Sequence, residues 1–271
     1  MKRNVLFAAT LFAAGSLFAA DPKDTVTAAA KKLADGGNYS WKQTADRGGG
    51  GGGFGGGGPQ VSQGKTAAGL TWTQTPGFAF GGGDAPPPTE RLSKGTNSVT
   101  KNQDGQWQTP EEMAAAMGGG PGGGGPGGGF GGGRGFGGGM FGGGATVLPA
   151  STAQDVAGLT KSLTEANGII SGDLTEDGAK AQLSFGRRGG RGGGGGPGGG
   201  GFTPPEPTNA KASVKFWVKD GALTKYELKS SGTMSFGGND MQMDNTTTVE
   251  FSDVGATKID APADAVKKIG G

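Results

Sequence analysis

Few side chains in this sequence are equipped for covalent or metal chemistry. The chain has no histidine and no cysteine, so Ser-His-Asp and Cys-His sites, Cys/His zinc sites and thiol redox centres are out of reach. Carboxylates remain for acid–base work, but Glu111-Glu112 and Glu176-Asp177 are immediate neighbours, and adjacent residues do not face each other on a helix. Both pairs fall where a helix start favours negative charge, which predicts capping and surface roles. Asp240-Met241-Gln242-Met243-Asp244 offers oxygens to calcium but lacks the glycine and distal glutamate of a calcium loop, and a polar strand end is expected. Gly64-Lys65-Thr66 resembles the end of a phosphate loop, yet Pro59 stands where the first glycine is needed. No catalytic, cofactor-binding or metal residues are assigned, no cofactor is expected, and the chain is read as a non-enzyme.

Arg187-Arg188-Gly189-Gly190-Arg191, with Arg47 and Arg134 in similar settings, is the kind of arginine-glycine segment that binds RNA by charge and stacking. Charge balance opposes that reading. Met1-Lys2-Arg3-Asn4, the apolar run from Val5 to Ala20 and the small residues Ala19-Ala20 before Asp21-Pro22 make residues 1–20 a predicted cleavable signal peptide. Removing it takes Lys2 and Arg3 and leaves 23 basic against 23 acidic residues, a neutral chain with no general attraction for nucleic acid or anionic membranes. No later apolar run approaches ~20 residues, so no transmembrane anchor is expected. Export to the periplasm or out of the cell is predicted, and without cysteine the fold must stand on its core alone.

Glycine accounts for 64 of 271 residues and concentrates in tracts 48–58, 118–144 and 189–201. No G-X-Y period is present. Setting aside the leader and these tracts leaves roughly 200 residues of ordinary composition, enough for one domain with a substantial core. The expected organisation is therefore a signal peptide at 1–20 and a single domain over 21–271, interrupted by disordered insertions. Phe54, Phe130, Phe136, Phe141 and Phe202 are isolated in glycine and could act as weak stickers. Long insertions also cost little by themselves, because closure entropy grows only logarithmically with length.

The elements follow from local signals. Asp21 and Pro22 open a helix through Ala34 that Gly36-Gly37 stops, with Val26, Ala29, Ala30 and Leu33 on one stripe. Asn38–Thr44 alternates as a strand, and Val61–Thr66, Gly69–Thr75, Arg91–Lys94 and Asn97–Lys101 read as short strands. Thr109 opens a short helix through Met117; Ser151–Gln154 fits a capping box for a helix reaching Asn167-Gly168. Ile169–Leu174 reads as a strand, and Ala179–Phe185 is open between helix and strand. Toward the C-terminus, Val214, Phe216 and Val218 alternate with Ser213, Lys215, Trp217 and Lys219, and Asp220-Gly221 is a two-residue hairpin signal. A second turn near Gly237–Asp240 and Val249 and Phe251 on one face complete a meander of four strands. Helices near 22–35 and 151–166 would cover one face, giving an α+β fold with a curved antiparallel sheet.

Lys215-Phe216-Trp217-Val218-Lys219, the Asp220-Gly221 turn, Leu223–Leu228, Val249–Asp253 and Lys258–Pro262 together resemble the LolA-type lipoprotein carriers and the LprG/LppX-type lipid-binding lipoproteins. The opening helix followed by Tyr39-Ser40-Trp41 is similar to theirs as well. The resemblance covers about a third of the chain, which lacks the lipidated cysteine of the LprG/LppX type. It implies a half-open β-barrel whose concave apolar face, closed by helices, holds acyl chains; no functional residue of that family has a match here to carry over. The leading expectation is an exported envelope protein binding a hydrophobic ligand or a lipidated partner, with Val214, Phe216, Val218, Val249 and Phe251, and Trp72, as lining candidates. Those positions could equally be an ordinary filled core. The alternative is a structural or interaction protein of the envelope acting through its Gly-Phe tracts.

Overall fold

A computed structural model of the chain describes residues 21–48, 59–77, 86–116, 146–184, 205–236 and 238–270. The predicted leader, the bulk of all three glycine tracts and their phenylalanines lie outside these residues. Among the described residues, eleven strands form one antiparallel sheet in the order β6-β5-β4-β3-β2-β1-β11-β10-β9-β8-β7. They are β1 (Tyr39–Gly48), β2 (Gln60–Ala67), β3 (Leu70–Thr75), β4 (Thr89–Lys94), β5 (Asn97–Lys101), β6 (Trp107–Gln108), β7 (Thr164–Ala166), β8 (Ile169–Asp173), β9 (Thr208–Lys219), β10 (Ala222–Phe236) and β11 (Asn239–Ser252). Among the described residues five helices accompany them: α1 (Pro22–Gly36), α2 (Pro110–Ala116), α3 (Pro149–Gly158), α4 (Glu176–Leu183) and α5 (Ala263–Lys268). The first and last strands of the order do not meet, so the α+β fold is a half-open barrel.

Turn chemistry sets the register. Ala68-Gly69, Asn167-Gly168 and Asp220-Gly221 all take positive φ at both positions, the geometry of the two-residue hairpin whose twist matches the flanking strands. Ala68 is the misfit, with φ of 52° and an exposed side chain, since a Cβ in the left-handed region costs about 1–2 kcal/mol. Ala68→Asn should stabilise the fold by about 0.5–1 kcal/mol, read as a rise of a few degrees in the thermal midpoint.

α1 forms as expected: the Asp21 side chain accepts from the Lys23 N–H, Gly37 ends the helix at φ 51°, and Val26, Ala29, Ala30 and Leu33 are buried. The other helices differ more. α3 starts at Pro149 behind Leu148, with no side-chain cap, and ends at Gly158. Thr160 already bridges to Leu174, and 164–166 is a strand, so the helix expected to reach Asn167 is cut short. The ambiguous stretch near 179 is helical, opened by Thr175, whose Oγ1 accepts from the Gly178 N–H. The expected four-strand meander is three long strands, because β10 continues unbroken to its turn.

Cross-strand partners share a sheet face, and the register separates two cores. On the inner face, Trp41 pairs with Phe251 and Gln43 with Val249. Val249 pairs with Tyr226, Tyr226 with Phe216 and Phe216 with Ile170. These residues form the larger cluster together with Val26, Ala29, Ala30 and Leu33 of α1 and Ala150, Ala153, Val156 and Ala157 of α3. On the outer face, Lys65 pairs with Trp72, Trp72 with Leu92 and Leu92 with Val99. That side carries the smaller cluster of Leu92, Val99, Trp107, Ala265 and Ile269, where α5 packs. The sheet thus exchanges its apolar face between β2 and β3. On the inner face beyond β2 the row Gly64, Thr73, Arg91, Thr100 is polar.

Candidate functional site

Five of the six lining candidates come together on the inner face. Val214, Phe216 and Val249 are 1%, 0% and 0% exposed, and Phe251 is 9% exposed; Val218 is partly buried against the same cluster. Trp72 is on the outer face, half-buried against the smaller cluster, its indole N–H donating to Glu90 Oε2 at 3.1 Å. The alternation of a single strand gives two faces without saying which is which, and the register with Lys65 and Leu92 places Trp72 on the outer one.

Around the five sit aromatic residues that hydrophobic alternation in β1 and β10 would have supplied. Phe216 and Tyr226 have ring centroids 6.3 Å apart, Tyr226 and Phe251 6.2 Å, Phe251 and Tyr39 5.6 Å, and Tyr39 and Trp41 5.7 Å. These are ordinary offset and edge contacts of packed rings, so under α1 and α3 the inner face is filled by its own side chains. Gly64 has no side chain because the Trp41 indole lies across it.

Tyr39 is fully buried, and its Oη faces the Ala150 backbone at the first turn of α3 without a hydrogen bond of normal geometry. Burial pushes its phenol up to about 12, with the Ala150 N–H pulling in the opposite direction. The unfolded phenol ionises near 10, so the stability this residue contributes is complete below pH 10 and is lost as pH rises from there through about 12. In Tyr226→Phe, where Tyr39 is the one tyrosine left, tyrosinate absorbance should emerge near pH 12 or together with unfolding. A folded protein titrating near pH 10 would contradict this.

Beyond α1 and α3 the inner face changes character. Ala45 pairs with Thr247 and Arg47 with Asn245, Gln60 with Ala45 and Ser62 with Gln43, and Met243 and Met241 oppose Gly232 and Met234. Gln43, Ala45, Ser62, Met241, Met243 and Thr247 are half-buried. Among the described helices, α1 packs on β9, β10 and α3, and α4 on β9 and β10. Leu183 of α4 covers Gly232 on the β10 side of this far half, and among the described residues the β1, β2 and β11 side of it is the half-exposed part of the inner face.

The remaining sequence candidates have structural roles. Thr109 and Glu112 close a capping box, with the Thr109 N–H donating to Glu112 Oε2 at 2.9 Å and the Glu112 N–H donating to Thr109 Oγ1 at 3.2 Å. Lys268 Nζ donates to both Glu112 oxygens and holds that carboxyl below the usual range. Glu176 pairs with Lys180 at 3.0 Å one turn along α4. Asp240 accepts from Ser235 across the hairpin. Arg47 is exposed on β1; the other arginine-glycine residues lie outside the described set. A shallow polar cleft of about 230 Å³ at β7–β8, lined by Lys161, Ser162, Thr164, Ser171, Gly172 and Asp173, is distant in character from the apolar inner face. Among the described residues no group of three or more His, Cys, Asp or Glu could hold a metal ion, and no helix is long and apolar enough to cross a membrane.

Among solved structures the chain is similar, at low scores, to LprF and LppX. LprF from Mycobacterium bovis aligns at 10% identity over 89% of this chain and 96% of its own, with a TM-score of 0.39. The lipoprotein LppX from Mycobacterium tuberculosis aligns at 10% identity over 88% of this chain and 99% of its own, with a TM-score of 0.32. A DUF1329 family protein from Desulfovibrio piger aligns at 11% identity over 91% of this chain and 97% of its own, with a TM-score of 0.28. LppX is one of the proteins after which the group that the C-terminal hairpins resemble is named. No family model matches the chain, and no curated protein matches it.

Proposed function

We propose that this is an exported, non-enzymatic binding protein that takes an acyl chain, free or attached to a lipidated partner, on the inner face of its half-open sheet. The observation that carries the reading is the division of that face. Beneath α1 and α3 it is filled, whereas from Ala45 and Thr247 to Met243 it stays half-exposed beside buried Leu228 and Met234. An extended apolar ligand would lie along this far half and end against the packed wall of Val214, Val249 and Leu228. Val218, Phe216 and Phe251 then hold that wall in place, and Trp72 stabilises the outer face. Unbranched methionine beside small alanine and threonine gives an adaptable surface for chains of varied shape.

The test is a titration of the delipidated chain with a fluorescent fatty acid. Saturable uptake is expected, weakened about tenfold or more by Thr247→Lys with the melting temperature unchanged. Absence of uptake, or uptake indifferent to Thr247→Lys, would overturn the proposal.

A further inference from the structure

Three of the chain's seven methionines, Met234, Met241 and Met243, fall within ten residues of one hairpin. Met234 and Met241 are direct partners between β10 and β11, and Met243 follows two residues along β11 on the same inner face, opposite Gly232. Direct cross-strand partners have Cβ atoms about 4.5–5.5 Å apart, and diagonal neighbours at about 7–8 Å remain within reach of long side chains. Three rotatable bonds let each methionine bring its sulfur toward a common point. Gly232 leaves the position opposite Met243 without a side chain, and Leu183 of α4 occupies that space, its Cδ1 2.6 Å from where a Cβ would stand. Met234 is fully buried, while Met241 and Met243 are half-buried. The three methionines therefore share one face, with Leu183 packed at Gly232 beside them.

We infer that Met234, Met241 and Met243 form a thioether site for a soft monovalent ion of the Cu(I) class. Thioether sulfur is soft and uncharged and favours Cu(I) over the hard cations calcium and magnesium. Packing alone explains a buried methionine, and it accounts for Met234. It accounts less well for the two half-exposed ones, which are the apolar residues in an otherwise polar run from Asn239 to Asn245. A thioether has no proton to lose, so such a site keeps its affinity in mild acid, where imidazole and thiolate sites weaken. The site shares Met243 with the proposed acyl-chain surface, but soft-ion uptake and fatty-acid uptake are read separately, so either reading can fail without the other.

With no thiol and no imidazole in the chain, uptake of a soft ion reports on thioethers with little background. The full chain would be titrated with Ag(I), a redox-inert probe, by native mass spectrometry. Cu(I) would follow, in competition with a chromophoric chelator. One ion per chain is expected, with affinity constant between about pH 5 and 8. Met241→Leu and Met243→Leu, near-isosteric changes that fold, should each weaken binding at least about tenfold, the lower bound set by losses on removing groups one shell further out. Met140→Leu should leave it unchanged. No uptake, equal uptake by all variants, or loss of uptake in acid would each overturn the site.

Discussion

Phe216→Ala should lower the free energy of unfolding by about 3–5 kcal/mol, the range for deleting a large buried ring from a packed interior. Phe216 is 0% exposed and touches Tyr226 on the neighbouring strand at 6.3 Å between centroids. It lies in register between Ile170 and Tyr226, so truncation leaves a void walled by two strands and α1. Those strands are fixed by their ladders and cannot collapse into the space. The measurement is urea unfolding of the two proteins, with equal slopes and a lowered midpoint. If this part of the sheet enclosed a ligand instead, the empty protein would lose far less on truncation, and ligand affinity would change in its place.

Gly64→Ala is the second large effect. The added methyl group has no room: its position coincides with the six-membered ring of Trp41, which rests on the Gly64 backbone. Trp41 is itself wedged against Tyr39 at 5.7 Å and paired with Phe251 across β11, so the ring moves only by disturbing the aromatic row. Overpacking of this kind costs about 1–3 kcal/mol or more. The check combines the denaturation midpoint with near-ultraviolet circular dichroism, where a displaced Trp41 changes the aromatic signal. A variant as stable as the parent with an unchanged spectrum would show that Trp41 is not seated there.

The parts of the fold written in local chemistry were legible. Asp220-Gly221 demands positive φ at two successive positions, and alternation from Lys211 to Lys219 leaves one register in which Val214 and Phe216 point inward together. Asp21, Pro22 and Gly37 mark α1 for the same reason: capping is settled within a few residues. What depends on distant partners was harder to see. Ser151 to Gln154 has the spacing of a capping box, but Pro149 can open a helix two residues earlier and Thr160 gains a strand partner in Leu174. Those competing interactions shorten α3.

The face of Trp72 is set by the neighbouring turn and not by the alternation of its own strand. The two-residue turn Ala68-Gly69 sets Ala67 opposite Leu70, and counting outward from it places Trp72 beside Lys65, on the face away from Phe216. Tyr39, Trp41 and Tyr226 belong to the same inner core as the candidates, and their alternation along β1 and β10 would have found them. The exchange of apolar face between β2 and β3 had no counterpart in any single strand. It follows from α1 and α3 covering one end of the sheet and α5 the other.

Native mass spectrometry of the chain purified from an exporting host, followed by organic extraction, tests the central claim most directly. The account predicts a discrete added mass that extracts as an acyl-chain lipid and disappears in Thr247→Lys, with folding unaffected. A clean mass for the polypeptide alone, together with failure to take up a fatty-acid probe after purification, would contradict it. The inner face would then be core throughout, and the binding role would be withdrawn.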